Sequence, residues 1–141
     1  VTAECRTGAT VDEIQAAIKQ RLETIDGLRA YATEPDKPNF PCAYPRVVDW
    51  TFDDDFDGDT VWHFDVWVLV GLEPGFNRAQ TWLNPYISPH GSHSIREAVN
   101  CDPTLGETVS QARVQGGGAY GRVDIAGITA LGASVRLEVF A

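Results

Sequence analysis

The chain holds 141 residues, of which 43% are hydrophobic and 22% charged, a globular composition that argues against disorder. At that length one core buries roughly two thirds of the unfolded surface, so a single domain over 1–141 is expected. Acids outnumber bases, 20 Asp plus Glu against 11 Lys plus Arg, and the net charge of −9 excludes a protein that wraps DNA by neutralising its phosphates.

No apolar run approaches the roughly 20 residues that cross a bilayer as a helix, so no membrane partner is expected. The opening "VTAECRTGATVDE" lacks the basic, apolar and small-residue order of a signal peptide. Residues 1–9 read as an extended arm. Thr10 then opens a helix over 11–25. Glu13 three positions on completes a capping box, and Val11, Ile14, Ile18, Leu22 and Ile25 recur at helical spacing before Gly27 caps the end.

Four prolines break the next segment, leaving short strands at 28–32 and 43–50. Residues 60–72 form the strongest strand. Trp62, Phe64, Val66, Val68 and Val70 line one face; Val61, His63, Asp65, Trp67 and Leu69 line the other. The second face is half apolar, so it needs cover as well, and Val61, Trp67 and Leu69 are candidates for contact with a neighbouring subunit. Residues 77–88 and 94–100 read as helices, the first bent or split by Pro85 and the second capped by Ser94 with Glu97. After the turn "DPTLGE", strands are expected at 108–115, 119–125 and 128–140, with Ala126-Gly127 turning a C-terminal hairpin. The order implies an α+β fold: a mixed or antiparallel twisted sheet, with helices on one face.

The chemistry-bearing motifs are few. "DDDFDGD" places Asp53, Asp54, Asp55, Asp57 and Asp59 in seven positions. Asp53, Asp55 and Asp57 followed by Gly58 match the first half of an EF-hand loop, but Phe64 stands where the bidentate Glu belongs and a strand follows. Loose divalent-ion binding, a solvated hairpin tip and an acidic contact surface remain open for this run. "GGGAYG" spells a dinucleotide fingerprint at 116–121, but it lies between strands and opens no helix, so its glycines read as turn residues. His90 and His93 have no acid close in sequence to orient them, and His63 with Asp65 on one strand face lacks a nucleophile. Cys5, Cys42 and Cys101 are widely spaced and show none of the paired spacings of a zinc site. No enzymatic constellation and no cofactor are expected.

The order of motifs resembles that of tail terminator proteins of long-tailed bacteriophages, in particular those of actinobacterial phages. The resemblance runs through "TIDGLRAYATEPD", "PCAYPRVVDW", "WHFDVWVLVG", "AQTWLNPYIS", "GSHSIREAVNCDPTLGETVSQARVQG" and "YGRVDIAGITALGASVRLEVFA". It covers nearly the whole chain from Val11, with the "DPTLG" segment and the "YG" hairpin the most telling. Pro85 and the very acidic 53–59 run depart from it. The resemblance implies a virion protein of the tail and neck, a homohexamer that caps the tail tube, ends tube growth and docks a head-completion (stopper) protein while DNA passes through the lumen. The acidic run, Asp53 to Asp59, would line the lumen or touch a partner. The alternatives are a neighbouring head–tail connector or stopper, or a small acidic calcium-binding module.

Overall fold

A computed structural model describes residues 9–52, 60–73 and 75–141. The elements run α1 (Val11–Leu22), β1 (Arg29–Ala30), β2 (Cys42–Thr51), β3 (Val61–Gly71), α2 (Phe76–Ile87), α3 (Ile95–Asn100), β4 (Gln111–Ile125) and β5 (Ile128–Phe140). The fold is α+β. The strands form one mixed sheet in the order β1-β2-β3-β5-β4, with β1 parallel to β2 and the other pairs antiparallel.

Local chemistry sets each boundary. The Glu13 amide donates to the Thr10 hydroxyl at 3.3 Å, satisfying an amide that has no intrahelical partner. Helix α1 stops at Leu22, three residues short of the expected end. There the Thr24 hydroxyl and amide both donate to the Arg21 carbonyl, at 2.6 and 3.2 Å, and tighten the last turn. Ile25 and Leu28 still reach the core, past Gly27 at φ 81°. Helix α2 runs on through Pro85 and is not split. Pro85 falls in the final turn and removes only one backbone bond, the one to the carbonyl of Thr81, an exposed residue that water reaches. In α3 the Glu97 amide donates to Ser94 at 3.2 Å, as the capping box requires.

The three helices of the described residues pack on one face of the sheet. Ile14, Ile18 and Leu22 of α1, Leu83 of α2 and Ile95 of α3 meet Phe64, Val66 and Val68 of β3 and Leu131 and Leu137 of β5, all buried. The "DPTLG" turn anchors its Leu105 in this core. Leu105 holds φ 50°, a costly conformation for leucine, while its side chain is 1% exposed. Asp102 braces the turn by accepting from the Thr104 hydroxyl and the Gly106 amide, bonds that hold its carboxyl below the usual range.

The glycine-rich stretch departs from expectation. Residues 111–125 are one strand, not two joined by a turn. Two register shifts, between Val114 and Gly116 and between Gly118 and Gly121, absorb the extra residues as bulges. Gly117 lies directly on the Ser134 carbonyl, where a side chain has no room. The hairpin at Ala126-Gly127 forms as expected, with φ of 51° and 78°. The expected strand at 28–32 shrinks to Arg29–Ala30. Residues 1–8, within the expected N-terminal arm, lie outside the described residues; Ala9 packs against the core.

Gly132 of β5 sits directly opposite Leu69 of β3, and a methyl at that position would press on the Leu69 side chain, which is 0% exposed. Gly132→Ala is therefore expected to lose about 1–3 kcal/mol, the usual cost of overpacking. Gly118→Ala, with open space around the added methyl, serves as control. Urea unfolding of the two variants checks the difference.

Candidate functional site

Among the described residues no helix covers the second face of the sheet, and its side chains divide into two zones. At one end Cys42, Tyr44, Leu69, Ile125 and Ala130 form a small buried cluster, roofed by Tyr31 and Phe40 from the segment after β1. Burial pushes the Cys42 thiol up to about 12, only weakly opposed by Arg29, so it stays protonated and unreactive. The Tyr44 hydroxyl donates to Glu34 at 3.1 Å; burial first, then that carboxylate, pushes its titration up. Trp67 is half-buried against the cluster, and its indole N–H has no acceptor among the described residues.

Charges fill the other zone. Asp49, His63, Glu138 and Arg113 stand in one register across β2, β3, β5 and β4. They are linked in series: His63 Nδ1 to Asp49 at 2.5 Å, His63 Nε2 to Glu138 at 3.2 Å, and Arg113 donating to Glu138 at 2.8 Å. In the next row Arg136 donates to Asp65 at 3.1 Å, with Arg46 on the far side of Asp65 in register. His63 therefore does not pair with Asp65, its neighbour on the strand face. Both of its ring nitrogens are occupied, so neither is free to act as a general base.

The predicted site residues scatter. Leu69 is 0% exposed and Val61 5%, both covered by their own chain, so the half-apolar face is largely completed within the subunit and neither residue is available to a neighbour. Trp67 alone of the three stays partly open. Asp53, Asp54, Asp55, Asp57 and Asp59 lie outside the described residues. Among the described residues no three His, Cys, Asp or Glu side chains are grouped to hold a metal ion. Cys42 is buried and Cys101 exposed on a helix end, so they do not form a joint ligand set. His90 finds an acid after all: α3 brings Glu97 to 2.9 Å from its Nδ1. His93 lies edge-on to Tyr86 with 5.9 Å between ring centroids. The glycines at 116–118 border a hollow of 520 Å³, but β4 continues as strand and supplies no helix N-terminus for a phosphate.

Two apolar surfaces were not foreseen. At the β2–β3 end Val48, Trp50 and Phe52 are 40%, 51% and 66% exposed. Trp50 stacks on Trp62 at 5.7 Å, and Trp62 on the buried Phe64 at 6.4 Å, which roots this projection in the core. At the opposite end a groove of 930 Å³ opens between the β3 terminus, α2 and the β4–β5 hairpin, lined by Phe40, Leu72, Trp82, Tyr86 and Ile128 among others. Trp82 and Ile128 are 49% and 45% exposed on it. The exposed Trp and Phe were visible in the sequence, but only strand pairing shows which end of the sheet each occupies. In comparisons with known proteins, no family model matches the chain and no curated protein matches it.

The charge row carries a pH dependence. Burial disfavours the imidazolium of His63, but hydrogen bonds and attraction from Asp49 and Glu138 outweigh it, so its pKa lies above the usual 6.5. A raised folded-state pKa gives stability that is full below the unfolded value, about 6.5, and is lost as pH rises through the folded value. Melting temperature is expected to fall from pH 6 upward through that window. His63→Gln should flatten the fall, as thermal scans at fixed ionic strength would reveal.

Proposed function

We propose that this chain is a ring-forming structural protein of a bacteriophage tail and neck, acting as a tail terminator and not as an enzyme. The order of motifs supports the family, and the α+β fold with its C-terminal hairpin is compatible with it. The observation that carries the assembly part of this reading is the exposure of large apolar side chains at both ends of one sheet: Val48, Trp50 and Phe52 at one, Trp82 and Ile128 at the other. Scattered single apolar residues are ordinary on a monomer, but contiguous aromatic patches mark contact surfaces. A contact made by two different patches propagates, and it closes into a ring when its rotation divides a full turn.

The net charge of −9 suits a channel through which DNA slides, because a negative wall repels phosphates. In this reading the aspartates at 53–59 face the lumen or a docking partner. The tube protein meets one rim of the ring and the head-completion protein the other.

The expected outcome is that the purified protein, mixed with the tube subunit, has the mass of six copies and appears by immunogold electron microscopy at the head-proximal end of tails lacking heads. Label found only on heads lacking tails would assign the chain to the stopper position instead. Label on neither, with a monomeric mass throughout, would remove the proposal.

A further inference from the structure

We propose that His63 is a proton-operated latch on the Asp49–Thr51 end of β2: its imidazolium ties Asp49 to Glu138, and loss of one proton releases Asp49 while Glu138 stays bound. The device does not depend on what the chain assembles with, so it stands apart from the tail reading.

Hydrogen-bond arithmetic makes one contact fail. Both partners of the ring are carboxylates, which when ionised only accept. Nδ1 faces Asp49 at 2.5 Å and Nε2 faces Glu138 at 3.2 Å. An imidazolium carries a proton on each nitrogen and serves both acids. A neutral imidazole carries one, so its other lone pair confronts a carboxylate oxygen. No tautomer keeps both bonds.

The two acids are held unequally, which decides the loser. The Glu138 side chain is 13% exposed and also accepts from Arg113 at 2.8 Å. That of Asp49 is 62% exposed, so water takes over its lone pairs once it turns outward. The proton that remains is therefore the one on Nε2. The next row along the sheet holds Asp65, its partner Arg136 at 3.1 Å, and Arg46. The row on the other side, Gln111, Phe140, Val61 and Thr51, has no charged side chain, and the helices lie on the opposite face.

Asp49 stands where β2 is least secured. Val47 pairs with Phe64 and Asp49 with His63, so Val48 is the extra residue of a bulge. Beyond the bulge Asp49, Trp50 and Thr51 are in register with His63, Trp62 and Val61. On the outer side β1 pairs only with Cys42 and Ala43, so among the described residues no strand flanks β2 from Tyr44 onward. A strand end with one neighbour behind a bulge is where local opening costs least. Besides the Trp50–Trp62 stack, the bond to His63 is the side-chain link that holds it. Burial lowers the ring's pKa, the two carboxylates raise it, and the net effect is upward from 6.5. The latch is thus closed in mildly acidic solution and opens as pH rises through the folded-state value.

NMR on the whole chain tests this at two levels. Ring nitrogen shifts of His63 should show a neutral form with its proton on Nε2. Backbone carbon relaxation, read without exchangeable protons, should give residues 48–51 order parameters near about 0.85 at roughly pH 6, falling toward about 0.6 at roughly pH 9. Residues 61–71 should not change over that range. In Asp49→Asn the side-chain amide can donate to the bare Nδ1, so residues 48–51 stay ordered throughout. His63→Gln, which does not titrate, should also be flat, and it separates the ring from every other group that changes charge. A neutral ring protonated on Nδ1, constant order at 48–51 in the wild type, or a fall that persists in either variant would overturn the latch. Loosening shared equally by 61–71 would overturn it too, since that is a general loss of stability.

Discussion

Strand β3 is paired on both sides, with β2 from Val61 to Leu69 and with β5 along its whole length, Val61 to Gly71. Because side chains alternate, that double pairing commits every residue of β3 to one of two environments. Phe64, Val66 and Val68 go under the helices, and His63, Asp65 and Trp67 go to the helix-free face. A slip of one residue would drive His63 and Asp65 into an apolar core, where unpaired charge costs several kcal/mol per ion. Gly132 adds a steric lock, since only a glycine leaves room for Leu69 across the strand pair. Register here is fixed by polarity and by space at once.

The helix-free face is finished by two different means. Tyr31 and Phe40 roof the cluster around Leu69, so the chain supplies its own cover where apolar residues emerge. Elsewhere the charge row keeps the face wet and ordered. Such partly exposed ion pairs are individually worth about 0–1 kcal/mol, so their main effect is on register and not on total stability. With that face closed or charged, exposed apolar surface is left mainly at the ends. This moves any contact between copies away from Val61 and Leu69.

What the residues made legible follows from how local each signal is. Thr10 with Glu13, Ser94 with Glu97 and the Ala126-Gly127 hairpin are decided within a few residues, and all three form. The alternation in 61–71 and 128–140 is equally plain because each strand has one face that is buried over most of its length. The continuity of β4 through 116–118 is hidden because glycine is ordinarily a turn residue, whereas here bulges at Gly116 and Gly121 keep a glycine run inside a strand. The partners of His63 come from Asp49 and from Glu138, 75 residues away, and no spacing rule reaches that far. Leu69 stands among the candidate interface residues because the pattern of its own strand does not show that Tyr31 and Phe40, from the segment before β2, pack over it.

Net charge shapes what an end-to-end contact can do. Each copy carries −9, so copies repel one another beyond contact range, over a Debye length of about 8 Å at physiological salt. An apolar contact at the ends of the sheet is short-ranged and acts against that repulsion. In the proposed assembly such a contact is weak between free subunits and strengthens when a third body, such as a tube end, holds several copies at high local concentration. Salt screens the repulsion and leaves the apolar contact nearly untouched, which is the reverse of its effect on a contact built from ion pairs. An acidic ring protein joined by aromatic ends would thus assemble on its template in preference to assembling in solution.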